Sequence, residues 1–474
     1  MTLDTNHLTL ESTFEGKGFW WLPESPNNRV GGTLNYSKDG ILLELHGTLT
    51  LASSRRPGPF PENLDSFPLI HGMSDAVKYT LVRASCISLT RNFSEITGSS
   101  FSAIYLLLGT HVSDAELPSD SVSFSCSHLD DFLGQASFTI EDDGVGSTLR
   151  GTTIGYVAPT HLAFALPSES AQLKFEQNLW RSRDRSKICL TARNTISLTP
   201  ESPQPFHWHL ERIWQMCSLL TLLADEIVRP ERIEVSVSGG PYPHVLFYNA
   251  QKPQRESNQP SSNLLFNASH VCDQLGDILN RWFTASPTLR SAIYLYIDGM
   301  RQAGSSEGRF LTLSQAFEAF SRATTTSEYM ATEDYEQVKS KIIEAIPSHV
   351  ASDHRDSLKS RIKYGNEISL RKRLMKTFDS LPVDAIDCIC HSLKEFVSGI
   401  VDTRNYLTHY SDELRPLALR GADLHWTSEQ LAMLTRILLL RSLGIDIARI
   451  VEHVRSHSRL MQYRQLYLRH PKSK

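Results

Sequence analysis

No stretch of this chain is long and apolar enough to suggest a membrane span. The most apolar run, LAMLTRILLLRSLGI (431–445), carries Arg436 and Arg441, and burying two guanidiniums in lipid would be costly. Cysteine is scarce: seven residues in 474, scattered, odd in number and without a CxxC pair. Neither a disulfide framework nor a zinc ribbon fits that pattern, and reduced thiols are the plain reading. The opening MTLDTNHLTLESTF has neither the basic start nor the apolar core of a secretory signal. A cytoplasmic protein with no membrane association is the expectation.

The common nucleotide and hydrolase motifs are missing as well. GVGSTLRG (144–151) lacks the Lys-Ser/Thr ending of a P-loop and the spacing of a dinucleotide fingerprint, and it reads as a turn between strands. No GxSxG, SxxK or Cys–His signature stands out. In HWH (207–209) the two histidines fall on nearly opposite sides of a helix, which suits a surface. His453 and His457 share a helix face, but Glu452 points away from it and no cysteine is near. With ligand sets this incomplete, neither a metal nor a cofactor is expected.

Charge is present but unevenly spread. Residues 351–474 hold 21 Lys and Arg against 14 Asp and Glu, whereas residues 1–350 hold 27 against 38. A basic back half fits a polyanionic partner; solvated helices rich in Arg are the plainer explanation.

Two kinds of periodicity divide the chain. Short alternating runs fill the first half: GGTLNYSKDGILLELHGTLTL (31–51) with its Asp-Gly turn, then 78–91, 100–108, 172–180 and 187–200. Such runs, separated by Ser, Gly, Asp and Pro, predict an antiparallel sandwich or barrel-like domain. One helix, 206–226, interrupts them. The polar segment AQKPQRESNQPSSN (250–263) marks the main boundary. Helical spacing follows at 265–303 (broken near Pro287), 308–323, 333–345, 353–379, 383–409 and 427–465, the last opening with a Thr427–Gln430 capping box. The expected class is α+β with two domains: a β-rich domain over 1–250, a linker or exposed loop at 251–263, and an all-α bundle over 264–474.

The segment IVDTRNYLTHYS (400–411) carries the candidate chemistry. Phe396, Ile400 and Leu407 would form its core-facing stripe, with Gly399 weakening the helix slightly. Arg404 and His409, five positions apart, are separated by about 140° around a helix. Asn405 and His409, four apart, share a face, and Arg404 is long enough to reach toward it. RNA carries its own nucleophile in the 2′-hydroxyl, so a histidine to move the proton and a guanidinium to match the phosphate suffice without a metal. The plain alternative is a helix end with Arg404 in a salt bridge to Asp402 or elsewhere.

RNYLTH (404–409) resembles the R-x4-H motif of HEPN domains, many of which are metal-independent ribonucleases. RFLTLSQAFEAFSR (309–322) and SLKSRIKYGNEISLRKRLMKTF (357–378) resemble the preceding helices of the ApeA-like HEPN group, a family of bacterial anti-phage, abortive-infection proteins. GFWWLPESPNNRVGGTLNYSKDGILLELHGTL (18–49) is similar to that family's β-rich N-terminal domain. The resemblance implies that Arg404 and His409 are catalytic, that Asn405 assists, and that Glu318 approaches the site as an auxiliary residue or serves in a structural ion pair. It also implies an RNA substrate, tRNA among the candidates, a homodimer or higher homo-oligomer built through the HEPN domain, and a phage protein as trigger. The basic tail RSHSRLMQYRQLYLRHPKSK (455–474) offers Arg459, Arg464, Tyr463 and Tyr467 as RNA contacts. The competing expectation is a non-catalytic HEPN module that dimerises or holds a nucleotide, with a ligand-binding β-domain.

Overall fold

Alternation of apolar and polar side chains builds the front of the molecule. On β2 (Val30–Ser37) Gly32, Leu34 and Tyr36 are buried, and on β3 (Gly40–Leu45) Ile41, Leu43 and Leu45, with their neighbours turned outward. The two strands pair antiparallel from Ser37↔Gly40 to Gly32↔Leu45 around Lys38-Asp39, as the Asp-Gly signal predicts. The computed structural model describes residues 7–49, 66–92, 95–134, 137–145, 148–240, 243–248, 264–301, 304–325, 328–457 and 461.

The same alternation recurs in β1 (Phe14–Trp21), β4 (Ser66–Ser74), β5 (Val77–Asn92) and β6 (Glu95–Leu108). Their antiparallel pairings close a ring in the order β6-β3-β2-β1-β4-β5, with β5 returning to β6. Such closure leaves those strands no free edge and encloses Trp20, Leu34, Tyr36, Tyr79 and Leu81, all essentially inaccessible. Two strands share one edge of β6: β3 along 99–103, and β14 (His244–Tyr248) along 105–107. From β14 a second run of antiparallel strands leads through β13 (Pro230–Val237), β7 (Ser119–Cys126), β12 (Ile188–Pro200) and β11 (Ala171–Arg183) to β10 (Leu162–Leu166). β8 (Phe138–Val145) and β9 (Thr148–Tyr156) pair as a separate two-stranded sheet, with the glycine-rich stretch lying across their adjoining ends at Gly144↔Leu149 and Val145↔Thr148; residues 146–147 lie outside the described residues.

α1 (Leu129–Leu133) follows β7, and α2 (Phe206–Ala224) packs on β7 and β13 with Ile213, Cys217, Leu220 and Leu223 buried. One expectation fails on α2. His209 is wholly buried, with its Nε2 3.2 Å from the Ser119 carbonyl, while His207 stays at the surface. Burial drives the His209 pKa down to about 4. α3 (Ala268–Val271) and α4 (Leu275–Phe283) also fold with this unit. Main-chain hydrogen bonds from Leu265 and Phe266 to Ala224 and Leu223 tie their approach to the end of α2. The first compact unit therefore runs to Phe283 and the second begins at Thr284, later than composition suggested. The proposed linker 251–263 lies outside the described residues.

The second unit is helical: α5 (Pro287–Arg301), α6 (Ser306–Thr324), α7 (Thr332–Glu344), α8 (Ser352–Lys363), α9 (Leu370–Phe378), α10 (Val383–Asp387), α11 (Leu393–His409), α12 (Gly421–Ser442) and α13 (Ile447–Ser456). α6 is its axis, burying Phe310, Leu313, Phe317 and Phe320. Gly299 of α5 lets Leu313 approach so closely that a Cβ there would lie 2.8 Å from it. The Phe317 ring packs with its centre 4.7 Å from that of Phe378 of α9, the planes tilted by 41°, and Phe378 in turn lies 6.0 Å from Phe396 of α11. Three sequence-read helices are in fact pairs. The segment 353–379 breaks into α8 and α9, 383–409 into α10 and α11, and 427–465 into α12 and α13, with Gly444 at positive φ in the last break. Thr427 and Ser428 do not cap α12. They are buried inside it, Ser428 donating to the Leu424 carbonyl at 2.7 Å, and the N-cap is Arg420.

Two predictions follow the barrel and α2. A methyl group on Gly72 would lie 2.2 Å from the Trp20 ring, itself fully buried. Gly72→Ala is expected to destabilise the protein by about 2 kcal/mol or more through overpacking, read as a lower denaturant midpoint at unchanged m. His209 resists protonation in the fold but not in the unfolded chain. Its contribution is therefore intact above about pH 6.5 and is lost as pH falls toward the folded value of about 4. Up to roughly 3 kcal/mol of stability at acid pH depends on it, and His209→Gln should flatten the fall of the denaturation midpoint between those pH values.

Candidate active site

α11 starts on a Ser392 cap that accepts from the Glu395 N–H, and it buries Phe396, Val397, Ile400, Val401 and Thr403. Leu407, expected in that stripe, is only half-buried. The last turn emerges from the core, which leaves Arg404, Asn405 and His409 reachable. Thr403 anchors the segment after the helix by accepting the Leu419 N–H at 2.9 Å. Gly399 admits the Leu419 side chain, which would stand 3.1 Å from a Cβ at that position. His409 is the final helical residue, and Tyr410 turns the chain with a left-handed φ of 51°.

The structure brings three of the four named residues together. The Arg404 Nη1 donates to Asn405 Oδ1 at 3.3 Å, so the guanidinium does swing toward the Asn405 side of the helix. Its Nη2 lies 3.8 Å from Glu318 Oε2 of α6, an ion pair without a close hydrogen bond. Asp402, the alternative partner, is engaged elsewhere: Arg371 of α9 lies 3.4 Å from it and also donates to the Ser398 hydroxyl. His409 is exposed, and among the described residues no hydrogen bond or ion pair joins it to the other three.

Glu318 serves more cations than Arg404. Its Oε1 lies 3.3 Å from Arg322 and 3.5 Å from Arg373, and Glu367 lies 2.9 Å from the same Arg322 and 3.7 Å from the same Arg373. Three guanidiniums thus face two carboxylates. Arg373 is the buried member, its side chain 2% exposed, and desolvation followed by repulsion from Arg322 lowers its pKa. Burial acts to lower Arg322 too, but its hydrogen bond and charge contact with Glu367 and Glu318 outweigh that and raise it. Besides Arg404, Glu318 thus has two other arginines as partners.

Sequence reasoning missed Arg322, Arg371, Arg373 and Glu367. One signal was available: Arg373 lies on the apolar stripe of α9 with Leu374, Thr377 and Phe378, and a cation in such a stripe must find buried partners. Arg459, Arg464, Tyr463 and Tyr467 lie outside the described residues. Among the described residues His453 and His457 belong to no cluster of three or more potential metal ligands, and no helix is long and apolar enough to cross a membrane.

Removing Arg373 should loosen both carboxylates at once. Arg373→Ala is expected to cost about 2 kcal/mol or more, the full penalty of a broken buried pair being reduced by the partial exposure of Glu318 and Glu367. Urea denaturation of the variant beside Arg373→Met, which keeps most of the volume, separates the lost charge from the lost packing.

Comparison with known proteins bears on both units. A family model described as ApeA N-terminal domain 1 matches residues 15–282, and one described as Apea-like HEPN matches residues 311–448. No curated protein and no solved structure matches the chain. The first model spans the β-barrel, the strands that extend it and α2 to α4; the second spans α6 to α12 with the Arg404–His409 segment. With its front half and its helical domain both matched, the chain belongs to the ApeA-like HEPN family of anti-phage proteins.

Proposed function

We propose that the helical unit is a metal-independent endoribonuclease whose working groups are Arg404, Asn405 and His409, with Glu318 as auxiliary. The observation that carries this reading is the placement of Arg404: half-exposed, turned onto Asn405, and only loosely paired with a carboxylate that has two other cations. A guanidinium so placed is pre-oriented yet transferable to a phosphodiester, and its fork then stabilises the charge that builds on the phosphoryl oxygens.

In the reaction, His409 takes the proton of an RNA 2′-hydroxyl. The O2′–P bond forms as the P–O5′ bond breaks, and the departing O5′ takes up a proton. The products are a 2′,3′-cyclic phosphate and a 5′-hydroxyl, with no net change in protons. Arg404 and His409 lie about 7.5 Å apart along the helix axis and about 140° apart around it. A substrate phosphate bracketed by both needs a second wall, and a second copy of α11 in a homodimer supplies one. Dimerisation is therefore part of the reading. RNA cleavage of this kind, directed at host RNA such as tRNA and released by a phage protein, would arrest growth of the infected cell.

The purified protein is expected to cut total RNA with EDTA present. His409→Ala should lower the rate by about 10²–10⁴, and Arg404→Ala by about 10²–10³. Equal cleavage by parent and His409→Ala, or strict dependence on added Mg²⁺, contradicts the mechanism and favours a binding-only module.

A further inference from the structure

Charge in the β-rich unit is segregated in a way the nuclease site does not use. β11 and β12 pair from Ala171↔Pro200 to Arg183↔Ile188, but third strands flank only the base of this hairpin. β10 pairs with β11 along Ala171–Phe175, and β7 with β12 along Ile196–Leu198. Asn194 donates to Asp130 of α1 at 2.8 Å, a tie between β12 and the body of the unit. Beyond it, five pairs from Leu179↔Ala192 to Arg183↔Ile188 stand as a two-stranded ribbon, about 17 Å long. Every residue from 181 to 188 is exposed.

This ribbon reverses the local charge. It carries Arg181, Arg183, Arg185 and Lys187 with Asp184 as its one acid, in a front portion that is otherwise predominantly acidic. Among the described residues none of the four cations has a carboxylate within ion-pair distance. The register fixes what each face presents. Arg181 opposes Leu190 and Arg183 opposes Ile188, so two guanidiniums and two aliphatic side chains share one face, with Ile188 64% exposed. On the other face the Arg193 guanidinium lies 5.2 Å from the centre of the Trp180 ring.

We propose that the β11–β12 ribbon is a nucleic-acid-binding arm that holds a single strand of RNA along its Arg181/Arg183 face. Unpaired cations at the end of a protruding ribbon gain most from a polyphosphate, because binding releases condensed counterions. Cations spread along an exposed ribbon are placed for phosphate oxygens, and contacts to phosphate carry no sequence information. The exposed aliphatic groups between the arginines are useful to unstacked bases, available in a single strand and hidden in a duplex. A protein partner is the weaker match: the ribbon face is far smaller than the roughly 800 Å² per side of a stable protein interface. Assigning RNA among polyanions rests on the ribonuclease reading above.

The test uses the full chain carrying His409→Ala, so that RNA is bound and not cut. Anisotropy of a labelled, unstructured RNA of mixed sequence is measured across a salt series, with and without Arg181→Gln, Arg183→Gln, Arg185→Gln and Lys187→Gln together. These are exposed hairpin positions, so an unchanged thermal midpoint is expected and is checked first. The four changes should weaken binding at least tenfold and reduce the slope of log K against log salt by up to about 3, at roughly 0.7 per lost contact on a single strand. Unchanged affinity and slope overturn the proposal, as does tighter binding of duplex DNA, or displacement by polyglutamate as effective as by RNA. Ribbon-dependent binding in a protein whose parent form cuts nothing would keep this inference and remove the nuclease reading. Cleavage by the parent, with binding untouched by the four changes, would do the reverse.

Discussion

The helical unit depends on one carboxylate shared among three guanidiniums. Glu318 on α6 meets Arg322 of its own helix, Arg373 of α9 and Arg404 of α11, so three helices converge on a single charged group. The buried Arg373 needs the charge of Glu318 and Glu367, and the same two carboxylates also hold Arg322. The pairs to Arg373 and Arg404 are long, and three guanidiniums against two carboxylates leave a net excess of one positive charge. What locks α9 to α6 also leaves Arg404 the least tightly held of the three.

That arrangement explains why the motif sits where it does on α11. Its first half is committed to the core through Phe396, Val397 and Ile400, while its last turn rises out of the core and ends at His409. A histidine at an exposed helix end and an arginine on a loosely occupied carboxylate are the two groups the proposed reaction draws on. In the proposed reaction the opposite wall is a second copy of the helix.

Much of the fold was legible because period-2 and period-3.6 patterns are strong where one face is buried. The β2–β3 hairpin, the β-rich front, the α2 stripe and the helical nature of the back half all come directly from that alternation. Barrel closure was not legible, since pairing β5 with β6 and β1 with β4 depends on register between distant strands. Helix breaks near 364–369 and at Gly444 were missed because apolar spacing continues across them, and Thr427-Ser-Glu-Gln430 imitates a cap although tertiary packing buries it inside α12. His209 and Arg373 show the same limit: a polar residue on an apolar stripe announces burial, but only the fold shows which carbonyl or carboxylate receives it. For the candidate site, Arg404, Asn405, His409 and Glu318 were all named from sequence, through resemblance more than spacing. The arginines that hold Glu318 in place were not.

The central claim is that the α11 residues transfer a proton at an RNA 2′-hydroxyl, and the ends of the cut RNA report on this most directly. RNA cleaved by the purified protein in EDTA should carry 2′,3′-cyclic phosphate and 5′-hydroxyl ends, visible as 5′ ends that accept phosphate from polynucleotide kinase without prior dephosphorylation. Fragments with 5′-phosphate and 3′-hydroxyl ends would mean that water, not the 2′-hydroxyl, attacked the phosphorus, and would contradict the account.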